Sequence, residues 1–357
     1  MIITLILLFF SSFIVLFAMR KVAFKINLVD TPNARKLHQG SVPLVGGISI
    51  TLVLAATLIL QPQIIQHSWL YLLSIITLAF IGALDDKFDL SVRARIGVQV
   101  LLSLIMIHVA GIEMHHLGNI LGFGDIYLGW FGTIVTVMAV IGAINAFNMV
   151  DGIDGLLGGL SIVTFGALAF LLNMGSPNGV SYLCMVIIAT MLPYICMNLG
   201  ICGRQRKVFM GDAGSMMIGF TVIWMLLGVS QVESRPLIRP VTALWLIAIP
   251  LMDMTAIMIR RIRRGDSPFK PDREHLHHIF QRLGLTSLQT LLVICSIASL
   301  CAAFGIYGEK ANISEAIMFY SFLLCFGVYF MLLSYVWRVT AWVKRLLGKN
   351  IGEAVEH

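Results

Sequence analysis

The chain has 357 residues, 58% of them hydrophobic and only 12% charged, with a mean hydropathy of +0.91. Soluble domains run about 45–50% apolar and about 25% charged, so a soluble globular protein is excluded. The formal net charge is +7, and its distribution along the chain makes it a topology signal with no nucleic-acid partner implied.

Eleven apolar segments reach or approach spanning length, at 2–19, 44–60, 69–84, 96–111, 130–147, 156–173, 180–199, 214–232, 241–259, 288–306 and 316–337. They predict an all-α polytopic integral membrane protein with one transmembrane domain over 1–337 and a basic tail over 338–357. The first segment has no basic leader and no small-residue cleavage site, and Arg20 and Lys21 follow it at once. It reads as a retained helix with its N-terminus outside.

The gaps after segments one, three, seven and nine, with the tail after eleven, hold 22 of the 25 basic residues. The opposite face keeps Arg235, Arg239 and Lys310. The positive-inside rule therefore puts the C-terminus and the loops 20–43, 85–95, 145–155, 200–213 and 260–287 in the cytoplasm. The cysteines Cys184, Cys196, Cys202, Cys295, Cys301 and Cys325 form no CxxC and predict neither a disulfide nor a zinc site. No internal repeat is visible.

Four polar clusters fall on that one face. The first is LDDKFDLSVRAR, with Asp85, Asp86 and Asp89 beside Arg93 and Arg95. The second, NAFNMVDGIDGLLGG over Asn145–Gly159, carries two Asn, two Asp and four Gly between apolar segments. Asn145 and Asn148 are three apart and share a helix face, and the Asp-Gly pairs at Asp151 and Asp154 break the helix. The third, RKVFMGDAGS, sets Asp212 between glycines; the fourth, RRIRRGDSPFKPDREHLHHIF, holds Arg264, Arg273, His275, His277 and His278. His275 and His278 are expected on one helix face, and Asp253 lies inside segment nine just after Pro250, where an acid is a functional candidate.

Taken one by one, each cluster has a plain structural explanation: a solvated helix end, a turn, a topology anchor. Their coincidence on one side favours chemistry. Carboxylates amid Lys and Arg suit a magnesium–phosphate site, because magnesium takes one or two protein carboxylates and shares its other positions with water and phosphates. Basic side chains hold phosphate oxygens, and Arg264 and Arg273 are candidates for that role. Glycines beside Asp212 and Asp151 are expected to leave room for a bulky phosphate. A site opening at a membrane surface suits one lipid and one soluble substrate, the setting of phosphoryl transfer.

The four motifs in this order, from about Val29 to Leu285, resemble the polyprenyl-phosphate N-acetylhexosamine-1-phosphate transferase family. The PDREHLHH loop and the NLVDTPNARKLHQGSVPLVGG stretch are similar to the branch that moves GlcNAc-1-phosphate. The resemblance implies a multi-pass protein of the bacterial inner membrane. It would take UDP-GlcNAc and undecaprenyl phosphate and give undecaprenyl-diphosphate-GlcNAc and UMP, with Mg2+ or Mn2+, at an early step of O-antigen or enterobacterial common antigen synthesis. Asp212 then matches the metal-binding acid, and Asp85 and Asp86 the pair assigned to the lipid phosphate and catalysis. Asn148, Asp151 and Asp154 match the region that holds the nucleotide and helps organise the metal. His275, His277 and His278 match the loop contacting sugar or diphosphate, His278 among the catalytic candidates. Other UDP-N-acetylhexosamines (UDP-GalNAc, UDP-MurNAc-pentapeptide) keep the same chemistry, and the sequence does not rank GlcNAc over GalNAc. A lipid-linked sugar transporter or a scaffold subunit are the rivals from other classes. Oligomeric state is not legible, and a homo-oligomer is compatible with the chain.

Overall fold

The computed structural model describes residues 1–31, 40–173, 178–232, 236–268 and 275–335. Among them are thirteen α-helices: α1 (Ile2–Ile26), α2 (Gly46–Leu60), α3 (Ser68–Phe88), α4 (Val92–Ala110), α5 (Phe131–Met149), α6 (Leu156–Asn173), α7 (Gly179–Asn198), α8 (Gly211–Ser230), α9 (Pro240–Leu246), α10 (Ala248–Arg263), α11 (Leu276–Arg282), α12 (Ser287–Lys310) and α13 (Glu315–Ser334). Nine of these are long and apolar enough to cross a bilayer, so the chain has the build of a polytopic membrane protein.

Two of the eleven expected spans differ. The second, α2, has only 15 residues, about 22 Å of helix against a hydrocarbon core of about 30 Å. The ninth is broken: α9 and α10 meet at 81°. The cause is local. Pro250 has no N–H, so it cannot bond the carbonyl of Leu246 four residues back. That carbonyl instead accepts from the Thr164 hydroxyl of α6 at 3.1 Å.

The boundaries of the expected cytoplasmic loops also move. α1 runs past Arg20 and Lys21 to Ile26. Asp85 and Asp86 lie in the last turn of α3, Asn145 and Asn148 in the last turns of α5, and Asp212 in the first turn of α8. These polar residues are therefore presented on helix ends and not on loops. Their polarity ends the apolar pattern before the backbone helix itself ends.

The bundle is organised around α8, which is buried along 94% of its span, whereas α1 is buried along 11% and α13 along 17%. α8 is apolar all round, as a helix buried by others must be, and packs against α2, α3 and α5. Small residues permit the approach. A Cβ on Gly47 of α2 would stand 2.1 Å from Gly214, and one on Gly82 of α3 would stand 2.3 Å from the Ala213 nitrogen. A short antiparallel pair, β1 (Val29–Asp30) with β2 (Val42–Pro43), precedes α2. From it the chain zips to the segment entering α8. Phe209 N donates to Pro43 O, Gly46 N to Phe209 O and Gly47 N to Met210 O, each at 2.9 Å. Backbone bonds from the N-terminal part of the chain thus fix where Asp212 begins its helix.

Candidate active site

The ends of α3, α5 and α8 and the start of α4 meet at one end of the bundle and bring three of the four sequence clusters together. Asp85 is nearly buried, its side chain 3% exposed. One of its oxygens accepts from Leu90 N at 2.8 Å and the other from Arg95 Nη1 at 2.7 Å. The same guanidinium nitrogen lies 3.9 Å from Asp212 Oδ2, so Arg95 joins two carboxylates on different helices. The other oxygen of Asp212 accepts from the Asn148 amide at 2.7 Å, and that amide also donates to Ser215 at 2.8 Å.

Asp86 turns the other way. Its carboxylate accepts from Asp212 N at 3.0 Å and Ala213 N at 3.5 Å, and so satisfies first-turn amides of α8 that have no partner inside the helix. Gly211, at φ +72°, packs against this carboxylate: a Cβ there would stand 2.4 Å from it. The glycines around Asp212 are thus spent on helix packing and capping. The expectation that they leave room for a phosphate is corrected for Gly211 and Gly214, whose neighbours are Asp86, Met210 and Gly47.

Beyond α5 the chain turns through Asp151–Gly155 before α6. Gly155 N donates to Asn198 Oδ1 at 2.6 Å, and Asn198 Nδ2 donates to Val208 O at 2.9 Å, tying this turn to the strand-like entry of α8. Asp154 is held by Lys207 at 2.5 Å. Asp151 is exposed and pairs with no described cation. Crowding by protein around its carboxyl, then the charges of Asp212 and Asp154, push it up to about 7.

The fourth cluster reaches the same turn. A Cβ on Gly152 would stand 2.1 Å from His277 Nε2, so the imidazole occupies the space that this glycine leaves. His277 is 3% exposed, and burial, followed by the charges of His278 and His275, pushes its pKa down to about 3. The rings of His277 and His278 are 4.2 Å apart, and those of His275 and His277 5.7 Å apart and nearly parallel. His275 does not share a helix face with His278: it is the N-cap residue of α11, in extended conformation, and turns to Asp253. Arg264 stands exposed at the C-cap of α10. Arg273 lies outside the described residues.

Reading the sequence alone missed Arg95 as the hub, Lys207 as the partner of Asp154, and Asn198 as the strut of the turn. Arg95 follows Asp85 by ten residues across a helix break at Asp89–Ser91, and that return was its only signal. A narrow crevice between α4, α5 and α8 is lined by Arg95, Gln99, Asn145, Asn148 and Met216.

Acids, an amide and a guanidinium converge at one end of a helical membrane scaffold, an arrangement suited to anionic substrates. The profile of glycosyl transferase family 4 matches residues 68–230, which span α3 to α8. The chain is 51% identical to the undecaprenyl-phosphate alpha-N-acetylglucosaminyl 1-phosphate transferase of Yersinia pestis, over 96% of this chain and 93% of that one. The protein of the same name from Haemophilus influenzae is 47% identical over 95% of each chain. That from Escherichia coli strain K12 is 49% identical over 98% of this chain and 96% of the relative. The chain belongs to glycosyl transferase family 4, among its undecaprenyl-phosphate alpha-N-acetylglucosaminyl 1-phosphate transferases.

Proposed function

We propose that this protein transfers GlcNAc-1-phosphate from UDP-GlcNAc to undecaprenyl phosphate at the cytoplasmic face of a bacterial inner membrane, releasing UMP. The observation that carries this reading is the Asp85–Arg95–Asp212–Asn148 chain of contacts, set at the end of a bundle whose relatives bear the transferase name. The step is an in-line displacement. An oxygen of the lipid phosphate bonds to the β-phosphorus of UDP-GlcNAc, and the bond from that phosphorus to the bridging oxygen breaks. UMP leaves with the electron pair.

The residues divide the work. Arg95 offsets negative charge where two anionic substrates meet. Asn148 orients Asp212. A lipid phosphate has its second pKa near about 6 and is mostly dianionic at neutral pH, so it needs little help from a base. Both oxygens of Asp85 are already engaged, and so are those of Asp86. That engagement supports direct attack by the lipid, with these acids as orienting groups and not as covalent nucleophiles.

Magnesium, or manganese, fits the donor set. Asp212 and Asp151 are the carboxylates named for it, with Asp154 beside them in the grip of Lys207. What supports a divalent cation is the Asp151 carboxyl, which pairs with no described cation and feels the charges of Asp212 and Asp154 after the larger effect of desolvation. Among the described residues no group of three or more His, Cys, Asp or Glu cages a metal; a magnesium ion completes its shell with water and substrate phosphate. When bound, the ion would offset charge on the diphosphate.

The test is a product assay on purified protein with undecaprenyl phosphate, magnesium and UDP-GlcNAc labelled separately in uridine and in sugar. UMP release with sugar entering the lipid phase is the expected result. Release of UDP would overturn the phosphosugar step, and product only with another UDP-sugar would correct the donor. A phosphosugar adduct on Asp85 or Asp86 found by mass spectrometry without lipid would overturn direct attack.

A further inference from the structure

Asp253 belongs to none of the groups above. It lies in α10, 2% exposed, and its carboxylate gathers three donors. Leu276 N donates to Oδ1 at 3.1 Å, the Tyr329 hydroxyl of α13 to the same oxygen at 2.6 Å, and His275 Nδ1 contacts Oδ2 at 2.7 Å. A buried carboxylate is costly unless it is fully hydrogen-bonded, and here the bonds come from two separate elements. Two of them, Leu276 N and His275 Nδ1, belong to the very start of α11. From there the row of imidazoles runs His275, His277, His278, and His277 sits against Gly152 beside Asp151. A continuous line of contacts therefore joins Asp253 to the turn that carries Asp151 and Asp154.

We propose that Asp253, braced by Tyr329, is a positioning residue that sets the imidazole row against the Asp151–Gly152 turn and thereby shapes the UDP-sugar side of the site. This rests on the transferase reading above. A mere anchor for α11 needs only an acceptor for Leu276 N. A carboxylate facing His275 does more: it keeps the proton on Nδ1 and so fixes the tautomer and the ring orientation, as carboxylates behind working histidines do.

Asp253→Asn separates the two roles. The amide oxygen still accepts from Leu276 N and Tyr329, but the amide nitrogen faces His275 Nδ1 donor to donor unless the imidazole changes tautomer. The expected result is a kcat lower by about 10–100-fold and a raised KM for UDP-GlcNAc. The KM for undecaprenyl phosphate stays at its wild-type value, and the melting temperature in detergent falls without loss of the fold. Tyr329→Phe, which removes one donor, gives the same split more weakly and serves if Asp253→Asn fails to fold. Gly152→Ala, which displaces His277 at the far end of the line, gives the same split, and its effect combines less than additively with Asp253→Asn because the two act on one contact line.

Wild-type KM values in folded Asp253→Asn or Tyr329→Phe, with rate loss only in proportion to folded protein, would overturn the proposal. So would strict additivity with Gly152→Ala. Wild-type protein that releases no UMP from UDP-GlcNAc sinks the transferase reading instead, so the two failures are told apart.

Discussion

Asp212 is the carboxylate on which the charge balance of the site turns: Asn148 takes one oxygen, Arg95 approaches the other, and Asp86 caps its amide. Asp212→Asn keeps the shape and removes the charge. It is expected to lower UMP release about 100-fold or more at saturating magnesium, the scale of losing one preorganised electrostatic group. Near-wild-type turnover under those conditions would remove Asp212 from the cation. His277 carries a prediction with a definite sign. Its pKa in the folded protein is about 3, below the unfolded imidazole at about 6.5, so the unfolded state binds the extra proton. Its contribution to stability is fully present above about pH 6.5 and is lost as pH falls toward 3. Melting temperature between pH 8 and pH 5 is expected to fall more steeply for the wild type than for His277→Asn; parallel curves would refute this. The acids, amides and histidines themselves stood out in the sequence because polar residues inside apolar runs are rare. Their pairings did not. Tyr329 lies 76 residues from Asp253, and no local pattern points from one to the other.

The break between α9 and α10 belongs to the scale of elements. Pro250 announces a disturbance, but its direction depends on Thr164 receiving the stranded Leu246 carbonyl, which only the packed bundle reveals. Thr164→Val keeps the volume and removes the donor. It is expected to destabilise the protein by about 1–3 kcal/mol, the cost of an unsatisfied buried carbonyl, read as a lower melting temperature in detergent. An unchanged melting temperature would mean that another group receives that carbonyl. The glycines teach a related lesson. The sequence sets Gly211 and Gly214 around Asp212, and that invites a ligand-binding explanation. What occupies the space is a neighbouring helix or the carboxylate of Asp86, and that is a tertiary fact.

At the scale of the whole molecule, the eleven apolar segments each became helix, one short and one broken, because segment length and hydropathy are set locally. The gathering of the polar clusters at one end was legible as well, since the basic residues marked the ends of the segments facing one way. Single cysteines in a cysteine-free background test that orientation. One at Asn312 is expected to react with an impermeant maleimide on intact cells, and one at Gln205 only after permeabilisation. The reverse pattern would invert the topology. The burial of α8 finally bears on the order of manufacture. The helices that wall it, α2, α3 and α5, all leave the ribosome before it does. Until Gly211–Ser230 emerges, the nascent chain holds a cleft lined by Gly47 and Gly82, with Asp86 lacking the amides it later caps. A released chain truncated after Met210 therefore leaves Asp86 without those amides and the cleft open. It is expected to decay faster in pulse-chase than a chain truncated after Val232, and equal lifetimes would show that the cleft closes without its central helix.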